Sequence, residues 1–439
     1  MRVSVIGCGY LGAVHAACMA ENGHEVVGVD VDPARIERLA AGRAPFVEPG
    51  LPELLATHVG SGRLRFTTRM EDAADAEVHF LGVGTPQRAD GAAADLSYLE
   101  AAVRSLIDAV AERPGTRPLV VGKSTVPVGT ARQVGERLRA RGMTLLWNPE
   151  FLREGRAVQD TLAPDRLVYG VLEPGQQDEA VAILDAVYAR QLADGTPRIV
   201  TGAETSELVK VAANSFLATK ISFINAMAEL CDRTGADVTV LADAIGIDER
   251  IGRKFLHAGI GFGGGCLPKD IRAFMARAGE LGASDSLSFL REIDLINARA
   301  RQHAADRVSR ALEGVLTGRT IAVLGAAFKP LSDDIRDSPA LAVANKLALR
   351  GATVRVTDPA AMDHVRREFP VLRAVDDVEE AVRGADLVFL GTEWPQFVQL
   401  DPVATRELVA QPIVVDGRNA LDPRTWRDAG WEYIGTGRP

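Results

Sequence analysis

Short β-branched runs recur along the chain to about residue 200, each followed by a stretch whose apolar positions return at helical spacing. They are Val3 to Ile6, Glu25 to Val29, Val78 to Val83, Pro118 to Val121, Thr144 to Trp147 and Arg166 to Val171. This alternation predicts βαβ units in a doubly wound parallel sheet. From about Ala203 to Cys231 the pattern becomes one long helical stretch without Pro or Gly, and further helix follows to about Ala300. A third segment returns to the first rhythm, with strands at Thr320 to Leu324, Thr353 to Thr357, Leu387 to Leu390 and Ile413 to Val415 and a helix at Ala340 to Leu349. The expected organisation is an α/β domain over 1–200, a helical domain over 201–300 and a second α/β domain over 301–439. The two α/β parts resemble each other in element order rather than in residues.

Composition narrows the class. The 439 residues are 47% apolar and 25% charged, which excludes disorder, collagen and coiled coil and is ample for two or three domains. No run approaches the roughly 18 to 20 apolar residues of a membrane-spanning helix. The start, Met1-Arg2-Val3-Ser4-Val5-Ile6-Gly7, is a strand running into glycines and lacks the apolar stretch of a signal peptide. Cys8, Cys18, Cys231 and Cys266 are scattered without paired spacing, which argues for a reducing cytoplasm and against a disulfide framework or a zinc site. With 50 Lys plus Arg against 59 Asp plus Glu the formal charge is −9, and no basic run is present, so a nucleic-acid partner is not expected.

Gly7-Cys8-Gly9-Tyr10-Leu11-Gly12 sets G-x-G-x-x-G between the first strand and a helix, with Asp30 ending the next strand. Gly7 permits the tight turn, Gly9 lets the backbone approach a pyrophosphate, and Gly12 allows close helix packing. Asp30 suits ribose hydroxyls and repels a 2′-phosphate, which favours NAD over NADP. Arg35 lies over the adenine or accommodates phosphate on this pattern, with Asp30 dominant. His15 and Cys18 share a helix face, but no further ligands converge on a metal.

Five glycines fall within Gly259 to Gly265, followed by Cys266-Leu267-Pro268-Lys269-Asp270. The glycines mark a loop passing close to something, and Pro268 suits a first helical turn, so Cys266 stands at a helix N-terminus. Oriented N–H groups and Lys269 favour its thiolate there. Asp270 in the first turn is also ordinary capping chemistry. On the long helix Lys210 and Asn214 stand four apart and share a face, either solvent-facing or directed at an anion. Ser124 to Thr130 and Asn148 to Gly155 follow strands at their carboxyl ends, where doubly wound folds bind ligands.

Together these blocks, with Val83 to Pro86, Asp248 to Gly252, Phe328 to Pro330 and Asp333 to Arg336, resemble the UDP-glucose/GDP-mannose dehydrogenase family over essentially the whole chain. Gly265 departs from the Ser common in the family. The resemblance implies a Rossmann NAD-binding domain, a helical dimerisation domain and a C-terminal Rossmann-like domain for the nucleotide sugar. It further implies a four-electron oxidation at C6 of a hexose with two NAD, through a thiohemiacetal and a thioester on Cys266. Lys210 and Asn214 would stabilise the oxyanion, Asp270 would orient or activate water, and Glu150 would act as base in hydrolysis, through Thr125 and a water. Gly7, Gly9, Tyr10, Leu11, Gly12, Asp30, Arg35, Thr85, Pro86, Ser124, Thr125, Glu154, Cys266, Lys269 and Arg336 match cofactor positions. Glu150, Phe151, Leu152, Arg153, Glu154, Lys210, Asn214, Arg250, Phe255, Gly261, Phe262, Gly263, Phe328, Lys329 and Arg418 match substrate positions.

Lys210, Arg250, Lys329 and Arg418 would gather positive charge around a diphosphate. The details resemble the UDP-glucose branch, with TDP-glucose, GDP-mannose and UDP-N-acetylmannosamine as alternatives. A two-electron β-hydroxyacid-type dehydrogenase is the runner-up, and Cys266 and the third domain argue against it. A dinucleotide-sensing protein without catalysis would lack the cysteine or Lys210.

Overall fold

The computed structural model describes residues 1–111, 117–173, 175 and 177–439. The chain folds as two compact units, Met1–Ala213 with Arg272–Gly282, and Asn214–Ile271 with Ala283–Pro439.

In the first unit β1 (Arg2–Ile6), β2 (Glu25–Val29), β3 (Leu64–Thr67), β4 (Val78–Leu81), β5 (Leu119–Gly122), β6 (Thr144–Trp147), β7 (Leu167–Val171) and β8 (Arg198–Gly202) form one sheet. Its order is β3-β2-β1-β4-β5-β6-β7-β8. Central strands such as β4 and β5 are buried throughout, as expected for strands covered by helices on both faces. Trp147, Tyr169, Tyr188 and Phe80 are the largest fully buried side chains.

The sheet is not wholly parallel, which corrects the expectation: β7 runs antiparallel to β6. The connection between them carries only the short helix Ala157–Leu162. A parallel return usually runs through a full helix packed on the sheet. The edge strands β3 and β8 mix polar with apolar residues and are partly exposed, so no buried β-branched run marks them.

In the second unit β9 (Thr320–Leu324), β10 (Thr353–Thr357), β11 (Arg373–Ala374), β12 (Leu387–Leu390), β13 (Ile413–Asp416) and β14 (Glu432–Ile434) form a parallel sheet in the order β11-β10-β9-β12-β13-β14. This repeats the order of the first six strands of the other sheet. Likeness between the two sheets also extends to residues, beyond element order alone. Gly7 N–H donates to Val29 O and Cys8 N–H to Asp30 Oδ2 at the end of β1. At the end of β9, Gly325 N–H donates to Thr357 O and Ala326 N–H to Asp358 Oδ2.

Asp358, however, also accepts from Ala327, Ala360 and Ala361 N–H and from Trp394 Nε1, and the following helix begins only at Pro339. With its oxygens taken and the helix displaced, the turn after β9 has lost the features that receive a dinucleotide.

The helical middle segment consists of Ala203–Thr234, Val238–Gly246, Leu267–Glu280 and Ser288–Ala311. The last of these runs through residue 300, where the change to α/β was expected, because no Gly or Pro interrupts it before Gly314. Among the described residues no helix is long and apolar enough to cross a membrane.

Candidate active site

The first unit builds a dinucleotide cradle at the carboxyl end of β1. A Cβ on Gly12 would fall 1.7 Å from Gly7 O, so only glycine lets the helix Tyr10–Glu21 pack this close to the turn. A Cβ on Gly9 would meet nothing within 4 Å, and no side chain caps the helix start among the described residues. Open space beside uncapped N–H groups fits a pyrophosphate. Asp30 is buried, and accepts from Cys8 N–H at 2.7 Å, Asp32 N–H at 3.0 Å and Arg35 Nη1 at 2.9 Å. A carboxylate has about four acceptor positions, so one is left for a ribose hydroxyl. Arg35 is thus held by the acid rather than standing free for a phosphate.

Leu11 is half-buried within the helix, and Tyr10 hydrogen-bonds through its hydroxyl to Glu48. Glu48 is buried, accepts from Gly155 and Ala157 N–H at 2.7 Å each, and so caps the segment that carries Glu154. Neither the Tyr10–Glu48 link nor the capping was legible in the sequence. Glu154 itself is half-buried.

At the ends of β4 and β5, Thr85 Oγ1 donates to Thr125 O at 2.7 Å and Ser124 Oγ to Val83 O at 2.7 Å. These expected cofactor residues therefore knit two strand ends together, with Thr125 half-buried and Pro86 exposed. Glu207, three residues before Lys210, accepts from Gly129 N–H and Ala131 N–H at 2.7 Å each, fixing the loop Ser124 to Thr130 to the helix of Lys210. Burial pushes the Glu207 carboxyl up to about 7, while the two N–H groups pull it back.

Beyond β6, Glu150 Oε1 accepts from Phe151 and Leu152 N–H at 2.6 and 2.8 Å, and Oε2 lies 3.3 Å from Lys123 Nζ. Phe151 has the Arg166 guanidinium 3.9 Å from its ring centroid and Lys210 Nζ at 5.6 Å. Leu152 is half-buried. Arg153, expected at the substrate, is engaged by the buried carboxylate of Asp160, with Nε 2.9 Å from Oδ2 and Nη2 2.5 Å from Oδ1. It holds its own loop.

The second unit presents the thiol. Cys266 is exposed and immediately precedes the helix Leu267–Glu280, as the glycine run and Pro268 predict. Asp270 is buried, and accepts from Asn214 Nδ2 and from Lys269 Nζ at 2.7 Å each, while its N–H donates to Cys266 O. Lys269 is therefore neutralised by Asp270. Asn214 spends one amide hydrogen on that carboxylate and keeps one for another acceptor.

Polar side chains pin the glycine loop from several directions. Gly261 has φ +94°, and a Cβ there would lie 2.3 Å from Asn297 Oδ1. Asn297 accepts from Phe262 N–H at 2.8 Å and donates to Phe262 O at 3.0 Å, and Arg301 Nη2 adds a bond to the same oxygen at 2.8 Å. Gly263 packs on Asp337 O and Gly265 on the Arg336 guanidinium, which a Cβ would meet at 2.2 and 2.3 Å. The absent serine side chain at 265 thus leaves room for Arg336, which Asp334 holds at 2.7 Å.

Phe255, at the loop's start, takes φ 66°, a left-handed conformation costly for a bulky residue and frequent at ligand sites. Arg418 donates to Gly391 O, Gly261 O and Phe328 O and pairs with Glu393 at 3.3 Å. It braces the loop. Arg250 is largely exposed and paired with Asp248 at 2.6 Å. Lys329 is half-buried with Nζ 5.3 Å from the Phe328 ring centroid. No cluster of metal ligands occurs among the described residues.

Sequence profiles of three successive domains match this chain: the NAD-binding domain over 1–192, the central domain over 204–299 and the UDP-binding domain over 322–423, all of one family. The chain belongs to the UDP-glucose/GDP-mannose dehydrogenase family. Within that family it is 41% identical to the UDP-glucose 6-dehydrogenase of Rhizobium meliloti (strain 1021) over 444 residues, covering 100% of both chains. The structure of a UDP-glucose dehydrogenase from Pyrobaculum islandicum superposes with a TM-score of 0.90 at 39% identity, covering 100% of this chain and 98% of the other. A UDP-D-ManNAc dehydrogenase from Pyrococcus horikoshii gives 0.85 at 28% identity, with 100% and 99% covered. NAD is accordingly the family cofactor of the cradle at Gly7 to Gly12.

Proposed function

We propose that this protein oxidises UDP-glucose to UDP-glucuronate in the cytoplasm, in two hydride transfers linked by a covalent bond to Cys266. The observation that carries the reading is the exposed Cys266 at a helix start, with Lys269 and Asp270 in the first turn and Asn214 of the long helix bonded to Asp270, a thiol that a simple alcohol dehydrogenase does not need. Identity of 39 to 41% over whole chains with proteins named for UDP-glucose supports this sugar nucleotide over UDP-N-acetylmannosamine, whose dehydrogenase stands at 28%.

NAD supplies the hydride acceptor at Gly7 to Gly12. Lys210 and Asn214 present cation and amide N–H to the oxygen at C6 as it gains charge. The Cys266 sulfur adds to the aldehyde carbon, which keeps the aldehyde from escaping before it is oxidised to the thioester. Asp270, held by two donors, orients Asn214 and takes part in proton movement at the first-turn site. Glu150 receives a proton from water in the final hydrolysis.

Phe216, Phe223 and Leu230 recur every seven residues along Ala203–Thr234 and are 67%, 46% and 55% exposed. Such a stripe suits a second copy of the chain, so a homodimer completes the proposal.

NADH formed per UDP-glucose consumed tests the chemistry. Two are expected from the wild type and no more than one, from the first oxidation alone, from Cys266→Ala, with UDP-glucose outcompeting GDP-mannose and TDP-glucose. One NADH per sugar with an unimpaired variant would return the protein to the two-electron dehydrogenases.

A further inference from the structure

Among the described residues Lys123 is the one buried lysine, it stands beside the Glu150 carboxylate, and neither hydride transfer nor thiol addition uses it. It follows directly on β5, is 4% exposed, and its Nζ donates to Asn148 Oδ1 at 2.9 Å and Tyr188 Oη at 3.2 Å. Tyr188 Oη also donates to Asn148 Oδ1 at 2.9 Å, and Asn148 Nδ2 to Val168 O at 2.9 Å, so the cage is oriented throughout. The charge itself finds one counter-ion there, Glu150 Oε2 at 3.3 Å. His15, 1% exposed, lines the same small cavity of about 30 Å³ with Lys123, Glu150 and Tyr188, and its ring nitrogens have no hydrogen-bond partner among the described residues. Asp160, Asp165 and Arg166 line it as well. Burial lowers the affinity of both Lys123 and His15 for a proton, and Glu150 opposes that effect at Lys123.

Counting acceptor positions shows what the cation does to the carboxylate. Of about four on Glu150, two on Oε1 take the Phe151 and Leu152 N–H groups and one on Oε2 takes Lys123. A single lone pair on Oε2 is left, and its direction is set by Lys123. A general base needs one defined acceptor in reach of the water it deprotonates.

We propose that Lys123 is a positioning residue for hydrolysis of the thioester, fixing Glu150 so that its one open lone pair receives the proton of the attacking water. This rests on the hydrolytic role given to Glu150 above. In that step the water oxygen forms the new bond to the acyl carbon and its proton passes to Glu150. The carbon–sulfur bond breaks with its electron pair on Cys266. Neither hydride transfer involves Lys123, so its loss acts after both.

The test is rapid mixing of Lys123→Met with NAD and UDP-glucose, followed by intact mass of the protein, beside wild type and Glu150→Gln. A burst of two NADH per chain is expected within about threefold of the wild-type rate, then a steady state slower by about a hundredfold, the range of a general base. A uronyl adduct on Cys266 should accumulate. Where Lys123→Met yields no folded protein, Lys123→Gln, which keeps hydrogen bonding to Asn148 and Tyr188, is expected to give the same adduct. An adduct in Glu150→Gln but none in either Lys123 variant, or burst and steady state falling together, overturns the role of Lys123. Unimpaired turnover of Glu150→Gln without adduct instead overturns the reading of Glu150, and this proposal with it.

Discussion

At the scale of single residues, chemistry was legible where local sequence creates it and hidden where distant partners do. Cys266 and Asp270 follow from a glycine run and a proline, both visible within a dozen positions. Glu207 and Lys123 were invisible because what defines them lies far along the chain, 78 residues for Gly129 and 27 for Glu150 (150 − 123). Asp270→Asn keeps the size of the side chain but removes the charge that holds Asn214 and Lys269. It is expected to lower kcat by about a hundredfold with KM for NAD nearly unchanged, as steady-state kinetics would register. Glu207 makes a prediction about pH. Its carboxyl titrates near 4.5 when unfolded and at about 7 when folded. Below pH 4.5 both states are protonated, and above 7 both are ionised. Between them the folded state holds the extra proton, so stability falls as pH rises through this window. The loss is on the order of 3 kcal/mol. Thermal unfolding of wild type against Glu207→Gln from pH 4.5 to 7.5 should show the difference shrinking or reversing in that direction. A difference independent of pH would contradict it.

At the scale of elements, the interior strands were readable and the edges were not. β4, β5 and β12 are buried along their whole length and almost wholly apolar because helices cover both faces, whereas β3, β8, β11 and β14 mix polar with apolar residues and are partly exposed. The antiparallel β6–β7 pair escaped because strand direction is decided by the connection, which holds only six helical residues. The glycine loop was legible as a loop, but the side chains that shape it were not. Arg418 and Arg153 resembled ligand residues, and the structure binds their guanidinium groups to carbonyls and to Asp160. Asn297, which no signal in the sequence singles out, bonds both the N–H and the carbonyl of Phe262. Asn297→Ala leaves the buried Phe262 N–H unpaired, while Phe262 O keeps its bond from Arg301, and is expected to cost about 1–3 kcal/mol in thermal or denaturant unfolding. It should also raise KM for UDP-glucose while leaving NAD affinity alone, since the cradle at Gly7 to Gly12 belongs to another element. An unchanged KM would mean that Phe262 and its glycines do not touch the sugar nucleotide.

At the scale of the whole molecule, the alternation of α/β, helical and α/β segments was legible because each has its own period, while a homodimer or higher homo-oligomer was implied only by the resemblance. The exposed stripe of Phe216, Phe223 and Leu230 predicts its own experiment. Phe216→Asp with Phe223→Asp is expected to shift the mass in sedimentation from dimer to monomer, and a dimer that survives would move the interface elsewhere. The two sheets share strand order, turn glycine and terminal acid, yet Asp358 is saturated by backbone N–H groups and Trp394 where Asp30 keeps an acceptor open. Among the described residues, only the cradle at Gly7 to Gly12 then keeps the features that receive a dinucleotide. Two oxidations must take turns at it, with spent cofactor leaving and fresh cofactor arriving while the half-oxidised sugar waits. The half-life of that wait sets how durable the intermediate has to be, and a rising ratio of NADH to NAD in the cell would lengthen it.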